Sequence, residues 1–157
     1  MTPCTRRTAA LVFLAMVLTG PATAQPSTAE AFLASIYTPY LDKSFMGHDC
    51  FDHADRFFVP DLANALKGDE DRNAGMVGKL DFDPFIVGQA WEISNLSISV
   101  TTDGAKATGE VAFVNIGRPR RVVYDLVRTP AGWRIADVKW PERINGAETL
   151  RGLYRLK

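Results

Sequence analysis

The stretch LSISVTTDG, Leu96 to Gly104, decides the fold. Leu96, Ile98 and Val100 alternate with Ser97, Ser99 and Thr101, the period of a strand with one face on a core and the other in water. Thr102-Asp103-Gly104 follows as a hairpin turn. The return strand runs through Val111 and Phe113, with Gly109 earlier on the same face. Gly117-Arg118-Pro119 marks the next turn, and Val122, Tyr124 and Leu126 then alternate again. Pro130-Ala131-Gly132 turns the chain into Trp133 to Trp140, and Pro141 is expected to end that strand. About four strands joined by successive hairpins make an antiparallel meander.

Upstream the phase slips. Trp91 and Ile93 are apolar at odd positions, whereas Leu96, Ile98 and Val100 are apolar at even ones. One extra residue near Ser94-Asn95, a β-bulge, keeps both sets on one face and bends the strand. A bent meander can curl around a helix and leave a cavity at its mouth.

The helices come first in the chain. Ser27 and Glu30 have the spacing of a capping box, and Phe32, Leu33, Ile36, Tyr37, Tyr40 and Leu41 recur on one helical face. Pro39 lies inside that pattern and predicts a kink or an early end. Phe57, Phe58, Leu62, Ala65 and Leu66 suggest a shorter helix from Pro60 to Gly68, followed by a polar surface loop from Asp69 to Gly78. Glu148 to Tyr154 reads as a short terminal helix docked through Leu150, Leu153 and Tyr154. The expected class is α+β, with N-terminal helices packed on a curved antiparallel sheet.

Residues 1–24 have the order of a secretory signal. Arg6 and Arg7 precede the apolar run Ala9 to Leu18, Gly20 and Pro21 break it, and Ala22-Thr23-Ala24 offers small residues for cleavage before Gln25. The run is too short to hold a membrane anchor. A single domain over residues 25–157, periplasmic or secreted, is therefore expected. Cleavage removes two of the 18 basic residues and none of the 18 acidic ones. The balance turns slightly acidic, which leaves no basic footprint for nucleic acid or an anionic membrane. Cys50 is then the one cysteine left, so no internal disulfide is expected.

The segments Tyr37-Thr38-Pro39-Tyr40-Leu41, Asp83-Pro84-Phe85 with Gln89, Gly132-Trp133-Arg134-Ile135 with Asp137, and Leu150-Arg151-Gly152-Leu153 together resemble a bacterial exported family, domain-of-unknown-function family 3828. The helix pair and bent meander are similar to the nuclear-transport-factor-2-like cone. The resemblance spans nearly the whole mature chain and implies a fold and an address, with no activity. The family pattern has an acidic residue after the glutamine, where this chain has Ala90. If that carboxylate helps form a site, the site here is altered.

Three places carry candidate chemistry. Tyr37, Tyr40, Asp83 and Gln89 would surround the mouth of a cone and bind a ligand, and Asp83 or Asp137 could act there as a general base. Asp83-Pro84 is equally an ordinary turn starter, and tyrosines on an apolar helix face are usually core. His48, Cys50, Asp52 and His53, with Asp49 and Asp55, place borderline metal ligands close together, but without a zinc spacing. A polar connection around a buried cysteine explains them as well. Asp69-Glu70-Asp71-Arg72-Asn73 opens like a calcium loop and then fails, with Ala74 at its glycine position and Leu80 at its glutamate position. Arg118, Arg120 and Arg121 read as a solvated hairpin tip.

No nucleophile elbow, phosphate loop or dinucleotide fingerprint is present, and no cofactor is expected. The favoured role is non-catalytic binding of a small molecule or an envelope protein. The alternatives are a cavity enzyme with a carboxylate base and a periplasmic metal-handling protein.

Overall fold

The computed structural model describes residues 27–73 and 78–157, so the expected export signal lies outside the described residues. Five strands follow one another in space as in sequence: β1 (Ile93–Asp103), β2 (Lys106–Asn115), β3 (Arg118–Thr129), β4 (Gly132–Ile144) and β5 (Ala147–Thr149). All neighbours pair antiparallel. The meander therefore has a fifth strand beyond the four expected. The chain is α+β, with a curved sheet.

The bulge stands where the alternation slips. Ser94 pairs with Val114 and Ser97 with Ala112, so Asn95 and Leu96 oppose Phe113 alone. Asn95 absorbs the extra residue at a φ of 52°. Ile93, Leu96, Ile98 and Val100 consequently share the half-buried face.

Two strand limits differ from expectation. Asn115 pairs with Arg118, so the second turn is Ile116-Gly117, and Arg118 and Pro119 already belong to β3. Both turn residues have positive φ, 48° and 71°, as a two-residue hairpin matching the strand twist requires. Pro141 does not end β4. Pairing with β3 stops at Lys139, so the missing amide of Pro141 breaks no ladder with that strand, and β4 continues to Ile144 against β5.

Helix α1 (Ala29–Tyr37) is capped by Thr28, whose hydroxyl accepts from the Ala31 amide at 3.0 Å; Ser27 is one residue too early. Pro39 ends the α-helix, and Thr38–Leu41 continues as a 3-10 turn. Phe32, Leu33, Ile36 and Tyr37 are buried against the sheet. The approach is close at Gly109, where an added Cβ would stand 2.3 Å from Leu33 Cδ1.

Helix α2 (Pro60–Asn73) runs past Gly68, a correction to the loop and calcium readings. Asp69 is buried and accepts from the Lys79 amide at 2.7 Å and from the Tyr154 hydroxyl at 3.1 Å. Those bonds turn it inward and anchor the last turn, outweighing the weak helix propensity of glycine. Helix α3 (Leu150–Tyr154) is shorter than expected because Ala147–Thr149 is strand, and Thr149 caps it through the Gly152 amide.

Candidate functional site

The interior is filled where a cavity was expected. Tyr37, Tyr124, Phe58 and Phe85 are fully buried, and Phe58 and Phe85 stack at 5.9 Å. The Tyr37 hydroxyl donates to the Phe85 carbonyl at 2.7 Å, which uses its single hydrogen. Its 2.6 Å contact with the Tyr124 hydroxyl must then have Tyr124 as donor. Burial pushes both phenols well above their ordinary range, so they stay neutral.

Asp83 closes the turn between α2 and β1. Its carboxylate accepts from the Tyr40 hydroxyl and from the Phe85 amide at 2.9 Å. Its backbone bonds Gly88 and Val87, each at 3.0 Å. Burial pushes the carboxyl upward, against hydrogen bonds from Tyr40, Phe85 and Ile86 that pull it down. Gln89 donates to the Asp81 carbonyl at 2.7 Å. Tyr40, Asp83 and Gln89 thus meet along one rim, while Tyr37 lies behind them in the core.

Asp137 is placed in another role. One of its oxygens accepts from the Val138 amide at 2.9 Å and the Arg151 amide at 3.0 Å, joining β4 to α3. Burial raises its carboxyl, and the Arg151 and Val138 amides with the Thr149 hydroxyl oppose the shift. Both oxygens of Asp83 and one of Asp137 are taken by the fold's own donors, so each aspartate staples neighbouring segments together.

The His48 to Asp55 segment spreads apart. His48 Nε2 lies 2.7 Å from the Ile36 carbonyl, which can only accept, so the proton sits on Nε2. The rings of Tyr40, Phe45, Phe57 and Phe85 surround it at 4.9 to 5.7 Å. Cys50 is buried, and burial pushes its thiol up, away from the thiolate a metal needs. Asp49 accepts from the Phe51 and Asp52 amides as a local turn, while Asp52 and His53 are exposed. Among the described residues, no three histidine, cysteine or acidic side chains converge on one point.

Sequence reasoning missed the outer surface of this end of the sheet. Leu41, Met46 and Ile116 are the large apolar side chains left exposed among the described residues, Met46 at 91 %. Leu41 shares a concavity with Phe45, Trp91 and Glu92, and Met46 an adjoining one with Trp91. Ile116 donates its amide to the Glu92 carbonyl at 3.1 Å. All three therefore stand around Trp91-Glu92. The sequence signal was the apolar pair Phe45-Met46 inside an otherwise polar connection.

No protein-family model and no curated protein sequence matches the chain. Among solved structures, one chain of the type VI native effector-immunity complex Tae3-Tai3 from Ralstonia pickettii matches with a TM-score of 0.51 and 21 % identity, over 76 % of this chain and 99 % of that one. A phospholipid-binding protein from Ralstonia solanacearum matches with a TM-score of 0.34 and 13 % identity, over 79 % and 59 %. The first likeness shows a shared fold.

Proposed function

We propose that this chain is an exported, non-catalytic binding protein of the cell envelope, built on a nuclear-transport-factor-2-like cone of the family-3828 type. It docks another protein through the end of the sheet around Trp91. The observation that carries this reading is Ile116. A β-branched residue rarely adopts a positive φ, and Ile116 does so at 48° while also standing 55 % exposed. It is costly to the backbone and unhelpful to the core. Such a residue is most simply explained by a contact outside the monomer, and Leu41 and Met46 beside it extend the patch.

Two further facts support the reading. The hydroxyl and carboxylate groups that a cavity enzyme would use are bonded to one another or to the backbone. The chain of similar fold comes from a native effector-immunity complex, a protein–protein assembly.

The test is site-specific photo-crosslinking in the producing cell, from a photoreactive residue at Met46 and, as a control, at exposed Thr101 near the opposite hairpin. A discrete heavier adduct from Met46 alone is expected. No adduct, or the same adduct from both positions, overturns the docking surface. Amino-terminal sequencing of the secreted form checks export separately, with Gln25 as the expected first residue and an uncleaved chain as the contrary result.

A further inference from the structure

Beside the apolar patch, the sheet presents an arginine on the wrong face. Arg120 alternates in phase with Val122, Tyr124 and Leu126, which are all buried, and it pairs across the sheet with buried Phe113. It therefore points toward the concave side, at the end where the core runs out. Its Nε is buried and has no hydrogen-bond partner among the described residues. A buried guanidinium donor left unpaired is expensive, and natural folds rarely leave one without a use.

The space in front of it is a concavity of about 270 Å³, walled by Val87, Trp140 and Ile144. Trp140 is held rigid by its indole hydrogen bond to the Pro84 carbonyl at 3.2 Å and by an edge contact with Phe82. Val87 holds a φ of 54°, another β-branched residue in the left-handed region. Of the charged groups lining the space, Arg121 is already engaged with Glu110 at 2.5 Å, which leaves Arg120 against Glu142 at the exposed rim.

We propose that this concavity binds a single carboxylate presented beside an apolar side chain by the docked protein partner. The inference rests on the protein-binding reading above. The Arg120 guanidinium supplies charge-assisted donors to the carboxylate, and Trp140 with Val87 and Ile144 covers the apolar group. A concavity of about 270 Å³ has room for an apolar side chain beside the guanidinium. Glu142 at the rim repels dense polyanions and leaves a lone carboxylate as the acceptable charge.

The probes are hydrocinnamate and its neutral amide, titrated into the full mature protein while the Arg120 Nε–H and Trp140 Nε1–H resonances are followed by NMR. Saturable shifts of both signals by the acid are expected, with the amide weaker by about tenfold or more. Arg120→Gln removes that discrimination, and Arg120→Lys, with charge but no planar fork, falls between; melts of both variants check that the fold is intact. In the crosslinking experiment, Arg120→Gln lowers the Met46 adduct by about tenfold or more. Equal binding of acid and amide, or unchanged binding in Arg120→Gln, overturns the site. Equal adduct yields in wild type and Arg120→Gln also overturn it and leave the docking surface standing. A wild-type chain that gives no adduct overturns the protein-binding reading itself, and with it the partner as the source of the carboxylate.

Discussion

Tyr124 donates its hydrogen bond to Tyr37, at 2.6 Å, because Tyr37 has already committed its own hydrogen to the Phe85 carbonyl. The order of donation makes the two hydroxyls unequal. Tyr37→Phe strands a buried donor and a buried acceptor together, and is expected to cost roughly 2–4 kcal/mol. Tyr124→Phe removes only the last donor in the chain and is expected to cost about 1–2 kcal/mol. Chemical denaturation of the two variants checks the ranking, and a larger loss from Tyr124→Phe would mean that the chain runs the other way.

Asp83 gives a signed dependence on pH. Burial holds its folded carboxyl above the unfolded value, so the folded state binds more protons in the window between the two. Stability contributed at this site is full below the unfolded carboxylate range, falls as pH rises through that window, and is level above it. Relative to Asp83→Asn, the wild type is therefore expected to gain melting temperature as pH is lowered from neutral. Asp61, whose carboxyl is lowered chiefly by its hydrogen bond from Arg151, has the opposite sign: its contribution is lost on acidification. Paired melts across pH separate the two.

The faces of β2 are fixed by Val111, fully buried, and Thr108, exposed. Val111→Asp puts an unpaired charge in the core and is expected to cost roughly 3 kcal/mol or more. Thr108→Asp is expected to lie within about 0.5 kcal/mol of wild type. Thermal melts read the difference directly.

Ile116→Asn is expected to stabilise the monomer. Asparagine tolerates the left-handed turn that isoleucine resists, a gain of about 1 kcal/mol. The same change is expected to weaken the Met46 crosslink. A variant that melts lower than wild type would remove the argument that Ile116 is kept at the monomer's expense.

The sheet was readable because strand alternation is a strict period of two, and the slip between Ile93 and Leu96 leaves one physical remedy, the bulge at Asn95. The Ile116 turn was not readable. Gly117-Arg118-Pro119 carries stronger turn chemistry than Ile116-Gly117, and local rules argue against isoleucine at positive φ. Gly68 failed as a stop signal because the bonds holding Asp69 come from Lys79 and Tyr154, far along the chain. Arg120 was legible in principle. Extending the Val122-Tyr124-Leu126 alternation two residues back puts it on the core side, but two neighbouring arginines and a proline made the tip look solvated. Tyr40, Asp83 and Gln89 lie on one rim, but Tyr37 and Tyr124 fill the space behind them through a bond between residues 87 positions apart, which no local pattern shows.

The close seat of Leu33 over Gly109 has a consequence for synthesis. Each hairpin of the sheet closes between neighbours and can zip as it leaves the ribosome. The first helix cannot: it ends at Tyr37 while the strands of its bed begin only at Ile93, and the Tyr37–Tyr124 bond spans 87 positions. Phe32, Leu33 and Ile36 therefore emerge first and find cover last. During that interval the nascent chain displays its most hydrophobic helix to the solvent, which makes residues 29–37 the natural handhold for a chaperone that keeps the chain unfolded.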